Sequence, residues 1–132
     1  MRYMLDTNMV IMAMRHRDWP VSRKVMERLR VDASISAVVY AELMYGISKR
    51  DDNGRNALAL SRFLDGVSVL PFDREAAEEF GDIYADLEKK RMRIGDRDAM
   101  IAAHARSLGC TLVTDNVREF SRVEGLLYEN WK

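Results

Sequence analysis

Short apolar runs alternate along this chain with longer stretches whose apolar residues recur at three- and four-residue spacing, and that alternation leaves few folds open. Residues 2–5, 33–35, 67–70, 111–113 and 126–128 read as strands. Between them the spacing predicts helices. One follows the capping residues Asp6, Thr7 and Asn8, and a second covers residues 21–30 with Val21, Val25, Met26 and Leu29 on one face. A third covers residues 37–49, where Ser36 is the cap and Val39, Leu43 and Ile47 recur every four residues. Asp51, Asp52, Asn53 and Gly54 break the chain before a helix with Leu58, Phe63 and Leu64. Phe80, Ile83, Tyr84 and Leu87 mark a helix over residues 74–91, with an acidic first half and a basic end that suit the helix dipole. The last long helix runs over residues 96–108, with Gly95 before it, Asp96 as its cap and Gly109 as its stop. Strands alternating with helices imply right-handed crossovers and a mostly parallel sheet covered on both faces.

Four acids fall where an apolar run meets a turn or opens a helix: Asp6, Glu42, Asp98 and Asp115. In open α/β sheets ligands bind beyond the carboxyl ends of the strands. Asp6 and Asp115 stand at such ends, and Glu42 and Asp98 are expected in the first turns of helices that start on the same edge. Two carboxylates about 4 Å apart repel by roughly 4 kcal/mol at an effective dielectric near 20, a large cost against a total stability of about 5–15 kcal/mol. A cation or a raised carboxyl pKa must relieve it, and oxygen ligands without His or Cys select Mg²⁺ or Mn²⁺ over zinc. Taken singly, each acid has a structural explanation. Asp6 and Asp96 read as caps, Asp98 as a complement to a helix dipole and Glu119 as a surface charge. Glu42 resists this treatment, because it borders the apolar face with no cationic partner nearby in sequence.

With 132 residues, 48% of them hydrophobic and 32% charged, the chain fits one domain over residues 1–132 with a substantial core. The apolar stretches are short and broken by charge, so a membrane span and a signal peptide are not expected, and the cytoplasm is the default location. The single cysteine, Cys110, rules out an internal disulfide and a multi-thiolate zinc site. Basic and acidic side chains balance at 21 each, so any case for nucleic acid rests on local patches. Candidate patches are Arg15 to Arg17; Arg23, Lys24, Arg28 and Arg30; and Lys89 to Arg91 with Arg93 and Arg97, each of which also reads as a solvated helix face.

Met4-Leu5-Asp6-Thr7-Asn8, Glu42 in its apolar helix, Ile94-Gly95-Asp96-Arg97-Asp98 leading into Ile101-Ala102-Ala103-His104-Ala105, and Leu112-Val113-Thr114-Asp115-Asn116 with Arg118-Glu119-Phe120 resemble the PIN-domain ribonucleases. More closely, the chain is similar to the VapC toxins of bacterial toxin–antitoxin pairs, over nearly its whole length and with the motifs in family order. The resemblance implies an α/β/α sandwich and an endoribonuclease dependent on Mg²⁺ or Mn²⁺, with Asp6, Glu42 and Asp98 as the family's acids. Many PIN domains carry a fourth acid where this chain has Asn116, with Asp115 one place earlier, so whether Asp115, Asn116 or Glu119 plays that role, and hence one metal or two, is left open.

On this reading Asp6 and Asp98 hold the cation, with Glu42 bound directly or through water and Asp115 as a further catalytic acid, while Thr7, Asn8, Thr114 and Asn116 orient water or phosphate. His16 and His104 read as structural. The resemblance also implies a structured RNA substrate, transfer RNA among the candidates, a cognate VapB-like antitoxin whose tail fills the acidic groove, and a homodimer or a hetero-oligomer with that antitoxin. Trp19, Tyr40 and Tyr45 are available for base stacking. Met9, Met12, Met14, Met26 and Met44 supply an adaptable apolar inventory for a partner, with core packing as the competing use. The rival reading is a PIN-like RNA-binding or assembly module that does not turn over. A phosphoryl-transfer or receiver-type domain is disfavoured, since no Gly-rich phosphate loop is present and Asp6 lacks a second aspartate two residues on.

Overall fold

A computed structural model describes residues 2–50 and 53–132. Its element order is β1 (Tyr3–Leu5), α1 (Thr7–Arg15), α2 (Pro20–Val31), β2 (Ala33–Ser36), α3 (Ala37–Lys49), α4 (Arg55–Phe63), β3 (Val69–Leu70), α5 (Arg74–Lys89), α6 (Asp96–Leu108), β4 (Thr111–Val113), α7 (Val117–Phe120) and β5 (Leu127–Glu129). The strands form one sheet of order β3-β2-β1-β4-β5, and every pairing in it is parallel. Every residue of β1 and β2 is buried, which successive side chains on opposite faces permit only if helices cover both faces. The result is a three-layer α/β/α sandwich with β1 at its centre.

Local chemistry sets where the elements begin and end. Pro20 opens α2, where a missing N–H costs nothing. Gly109 closes α6 at a φ of 67°, the left-handed region that a Cβ disfavours. Asn53 and Gly54 likewise take positive φ before α4, while Asp51 and Asp52 of the expected break lie outside the described residues. Along α4 the buried positions are Leu60 and Phe63, and Leu58 faces solvent.

Several boundaries differ from the expectation. The strand expected over residues 67–70 shortens to Val69–Leu70, the last strand shifts to Leu127–Glu129, and both are edge strands with few neighbours to bury them. Asp96 is not the cap of α6. The cap position is Gly95, and the Asp96 carboxylate accepts from the Tyr84 hydroxyl at 2.7 Å, an oxygen that also accepts from Arg93 at 2.9 Å. Met9 and Met12 are core residues, Met14 and Met26 pack partly buried against the core, and Met44 is exposed.

Long-range ties close the sandwich. Arg106 of α6 reaches Glu79 and Asp82 of α5 and donates to the carbonyl of Glu124 at 2.8 Å, joining two helices and the loop before β5. The C-terminus returns to β1, where Trp131 meets Tyr3 edge-to-face with centroids 5.1 Å apart, and Lys24 lies over the Trp131 ring. Among the described residues no helix is long and apolar enough to cross a membrane.

The core around β1 sets the stability of the whole. Leu5 is fully buried on the central strand, so Leu5→Ala should cost about 2–5 kcal/mol in a urea titration at unchanged denaturant slope.

Candidate functional site

Register brings the site together. Leu5 of β1 is the Cα partner of both Ile35 in β2 and Val113 in β4, so the residues that follow, Asp6, Ser36 and Thr114, stand side by side at the carboxyl edge of three adjacent strands. All three are buried. The Asp6 N–H donates to the Val113 carbonyl at 3.1 Å, which pins the end of β1 against β4. Its carboxylate accepts the Met9 N–H at 2.9 Å, capping α1, and also accepts the Thr114 hydroxyl. Asp6 is therefore both a helix cap and a buried acid on the ligand-binding edge.

α3 starts from the same edge, with Ser36 accepting the Val38 N–H at 3.0 Å. Nδ1 of His104 in α6 lies 2.7 Å from the same Ser36 oxygen, and burial lowers the His104 pKa, so this histidine is structural as expected. Glu42 stands at the margin of the buried face of α3, in its second turn and not its first, because the helix already begins at Ala37 behind the Ser36 cap. Its Oε1 accepts the Thr7 hydroxyl at 2.6 Å and its Oε2 accepts Nε of Arg97 at 3.1 Å. The cationic partner that Glu42 lacks nearby in sequence thus comes from α6, 55 residues away. Asp98, one residue on, is half-buried, and no donor among the described residues bonds its carboxylate.

The electrostatics agree with a site starved of positive charge. Burial raises the Asp6 pKa to about 6, against the opposing hydrogen bonds from Thr114 and Met9, and the negative charges of Asp115 and Asp98 add to the rise. Asp98 is also raised, first by burial and then by the charges of Glu42 and Glu119. Asp115 is partly buried and paired with Lys132 Nζ at 3.0 Å. The Asn116 N–H donates to Thr114 Oγ1 at 2.9 Å, and Asn8 is exposed in the first turn of α1.

Among the described residues no three His, Cys, Asp or Glu side chains are gathered in a form that could hold a metal ion. The bonds just described account for this: Asp6 is held by Met9 and Thr114, while Glu42 is held by Thr7 and Arg97. The donor chemistry still fits a hard divalent cation, because the edge offers carboxylate, hydroxyl and amide oxygens with no thiolate or imidazole among them. Two of its carboxyl groups, moreover, carry raised pKa values that a cation would relieve.

Sequence reasoning missed one member of this cluster, Arg97, and left another, Glu119, open. Glu119, read as a surface charge, is partly buried and close enough to Asp98 to raise its pKa. Arg97, read as part of a basic helix face, is the side chain that engages Glu42. The signal for Arg97 was its position beside Asp98 at the start of a helix, which aims both residues at one edge.

A PIN domain family model matches residues 3–126. The chain is 40% identical over 99% of its length to "Ribonuclease VapC" of Haemophilus influenzae, covering 98% of that protein, and equally so to the "tRNA(fMet)-specific endonuclease VapC" of Shigella flexneri. Among solved structures it superposes on DNA-bound VapBC from Salmonella typhimurium with a TM-score of 0.94 at 35% identity, covering 100% of this chain and 99% of that one. VapBC2 from Rickettsia felis, bound to a DNA fragment from its promoter, gives a TM-score of 0.91 at 35% identity with 100% of both chains covered.

A pKa raised in the folded state means that the native protein holds the proton more tightly than the unfolded chain. That contribution is present below about pH 4 and is lost as pH rises to about 6. The metal-free protein should therefore lose stability across this window, by up to about 3 kcal/mol from Asp6. Asp6→Asn, which keeps a capping side chain, should flatten the fall and be the more stable protein at pH 7 in urea titrations across that range.

Proposed function

The chain belongs to the PIN-domain family and within it to the VapC ribonucleases, and from that membership we propose that it is the toxin of a toxin–antitoxin pair, cleaving a structured RNA with the help of Mg²⁺ or Mn²⁺. One observation carries the reading: Asp6 is buried at the carboxyl edge of the central strand with its pKa raised, while Asp98 shares that edge without a hydrogen-bond donor among the described residues.

Asp6 and Asp98 are the residues that would hold the cation, with Glu42 bound directly or through water and Asp115 adding negative charge beside Asp6. Such a cation, when bound, supplies a Lewis acid that activates water and offsets the charge of the scissile phosphate. The chain's own contribution is orientation. Thr114 and the Met9 N–H fix the Asp6 carboxylate, and Thr7 fixes one oxygen of Glu42. Asn8 and Asn116 present amides at the same edge for positioning water or phosphate. Water attacks in line, leaving 3′-hydroxyl and 5′-phosphate ends.

Transfer RNA is the first substrate to test, since the Shigella flexneri relative is named for tRNA(fMet). Trp19, Tyr40 and Tyr45 are exposed and able to stack on splayed bases, although Trp19 already lies against His16 with ring centroids 3.8 Å apart. The partner is a VapB-like antitoxin, by analogy with the VapBC assemblies that this fold matches. A groove of about 160 Å³ suits its tail. Ile11, Met14, Leu43, Ile47 and Leu60 line the groove, and Arg15, Arg50 and Glu42 also border it. An apolar segment would match its walls.

Cut ends mapped in total RNA and in purified transfer RNA, with Mg²⁺ or with EDTA, test the assignment. Asp6→Asn and Asp98→Asn should each lower cleavage by at least about a hundredfold while circular dichroism shows a retained fold. Wild-type rates in either variant would defeat the assignment of these acids. RNA binding without metal-dependent cleavage by the wild type would instead favour a non-catalytic PIN-like module.

A further inference from the structure

We propose that Arg97 is a tethered counter-ion that competes with the divalent cation for Glu42, so that the guanidinium leaves that carboxylate when the cation arrives. The inference rests on the reading just given and deepens it. Among the described residues Glu42 is the one family acid of the three that forms an ion pair, with Nε of Arg97 at 3.1 Å from Oε2, while the Arg97 charge reaches Asp98 more weakly and opposes the rise of its pKa. Its other oxygen accepts from Thr7, so each carboxylate oxygen has one donor, and Arg97 is the charged one that a cation would compete with.

The two oxygens differ in how readily they can be released. The Thr7 hydroxyl belongs to the first turn of α1, whose start is clamped by the Asp6 cap, so that contact is held by the fold. Arg97 has a side chain that is 65% exposed against 21% for Glu42, with no other ion pair among the described residues. A largely solvated guanidinium can leave a carboxylate at small cost, since exposed pairs of this kind contribute little to stability. Arg97 is thus a positioning residue that acts through Glu42.

Mn²⁺ binding to the full chain at 0.15 M salt, followed by electron paramagnetic resonance, tests the exchange without any cleavage assay. Arg97→Gln should tighten Mn²⁺ binding by about two- to fivefold, the factor an exposed pair of this strength corresponds to. The tightening should vanish when Glu42→Gln is already present, because a competitor has no effect once its target is gone. Tightening of equal size in both backgrounds would mean only that a positive charge had been removed from the neighbourhood, and would overturn the proposal. So would unchanged or weaker binding in Arg97→Gln. Independently, the ¹⁵Nε resonance of Arg97 in the wild type should shift as Mg²⁺ is added and saturate with the site, and a resonance that does not move at saturating Mg²⁺ overturns the exchange. Wild-type protein that binds Mn²⁺ and cleaves RNA while failing these tests removes Arg97 and leaves the metal-dependent reading intact. A wild type that binds no Mn²⁺ removes both.

Discussion

The burial of one carboxylate organises this molecule. Asp6 follows the central strand directly, and the parallel register on both sides of that strand leaves its side chain in the row formed with Ser36 and Thr114. Inside that row it is held by a backbone N–H and a hydroxyl, enough to satisfy its oxygens but not enough to offset the loss of water, and its pKa rises. Everything else at the edge arranges itself around that charge. α1 starts from its cap, Asp98 and Asp115 add repulsion, and the nearby cations face outward to Glu42 and Asp115 rather than inward to Asp6.

The cost of that arrangement falls on the folded state, and the sandwich around it is built to bear it. β1 and β2 are buried along their whole length, and Arg106 fastens α5, α6 and the loop before β5 into one unit. A rigid frame around a strained polar edge is the usual arrangement when a site must hold its groups ready for a ligand that has not yet arrived.

Much of this was legible in the chain itself. The strand and helix order follows from apolar spacing, and the parallel sheet follows from the alternation, because tight turns cannot connect parallel strands. Asp6 and Glu42 could be singled out, the first by its place after an apolar run and the second by an acid on the margin of an apolar face. What could not be read were the contacts between elements far apart in sequence. Tyr84 claims Asp96 across the turn from α5 to α6, which displaces the cap to Gly95, and Arg97 crosses to α3. Edge strands were misjudged at their ends because little packing fixes where they stop. A basic residue on a helix looks the same in sequence whether it faces solvent or an acid on another helix, and only the fold separates the two.

The contact between Ser36 and His104 has a consequence for how such a chain can vary. Ser36 ends β2 and begins α3, and His104 lies two turns into α6, so one buried hydroxyl–imidazole pair couples the helices that carry Glu42 and Asp98. The two helices are thereby kept in phase with each other by a buried tie at the strand ends. Exposed positions on α3 that touch neither acid, such as Tyr40 and Tyr45, are left free to diversify without misaligning the acids. Tolerance to change away from that tie, and intolerance at it, is the pattern of substitution this architecture favours.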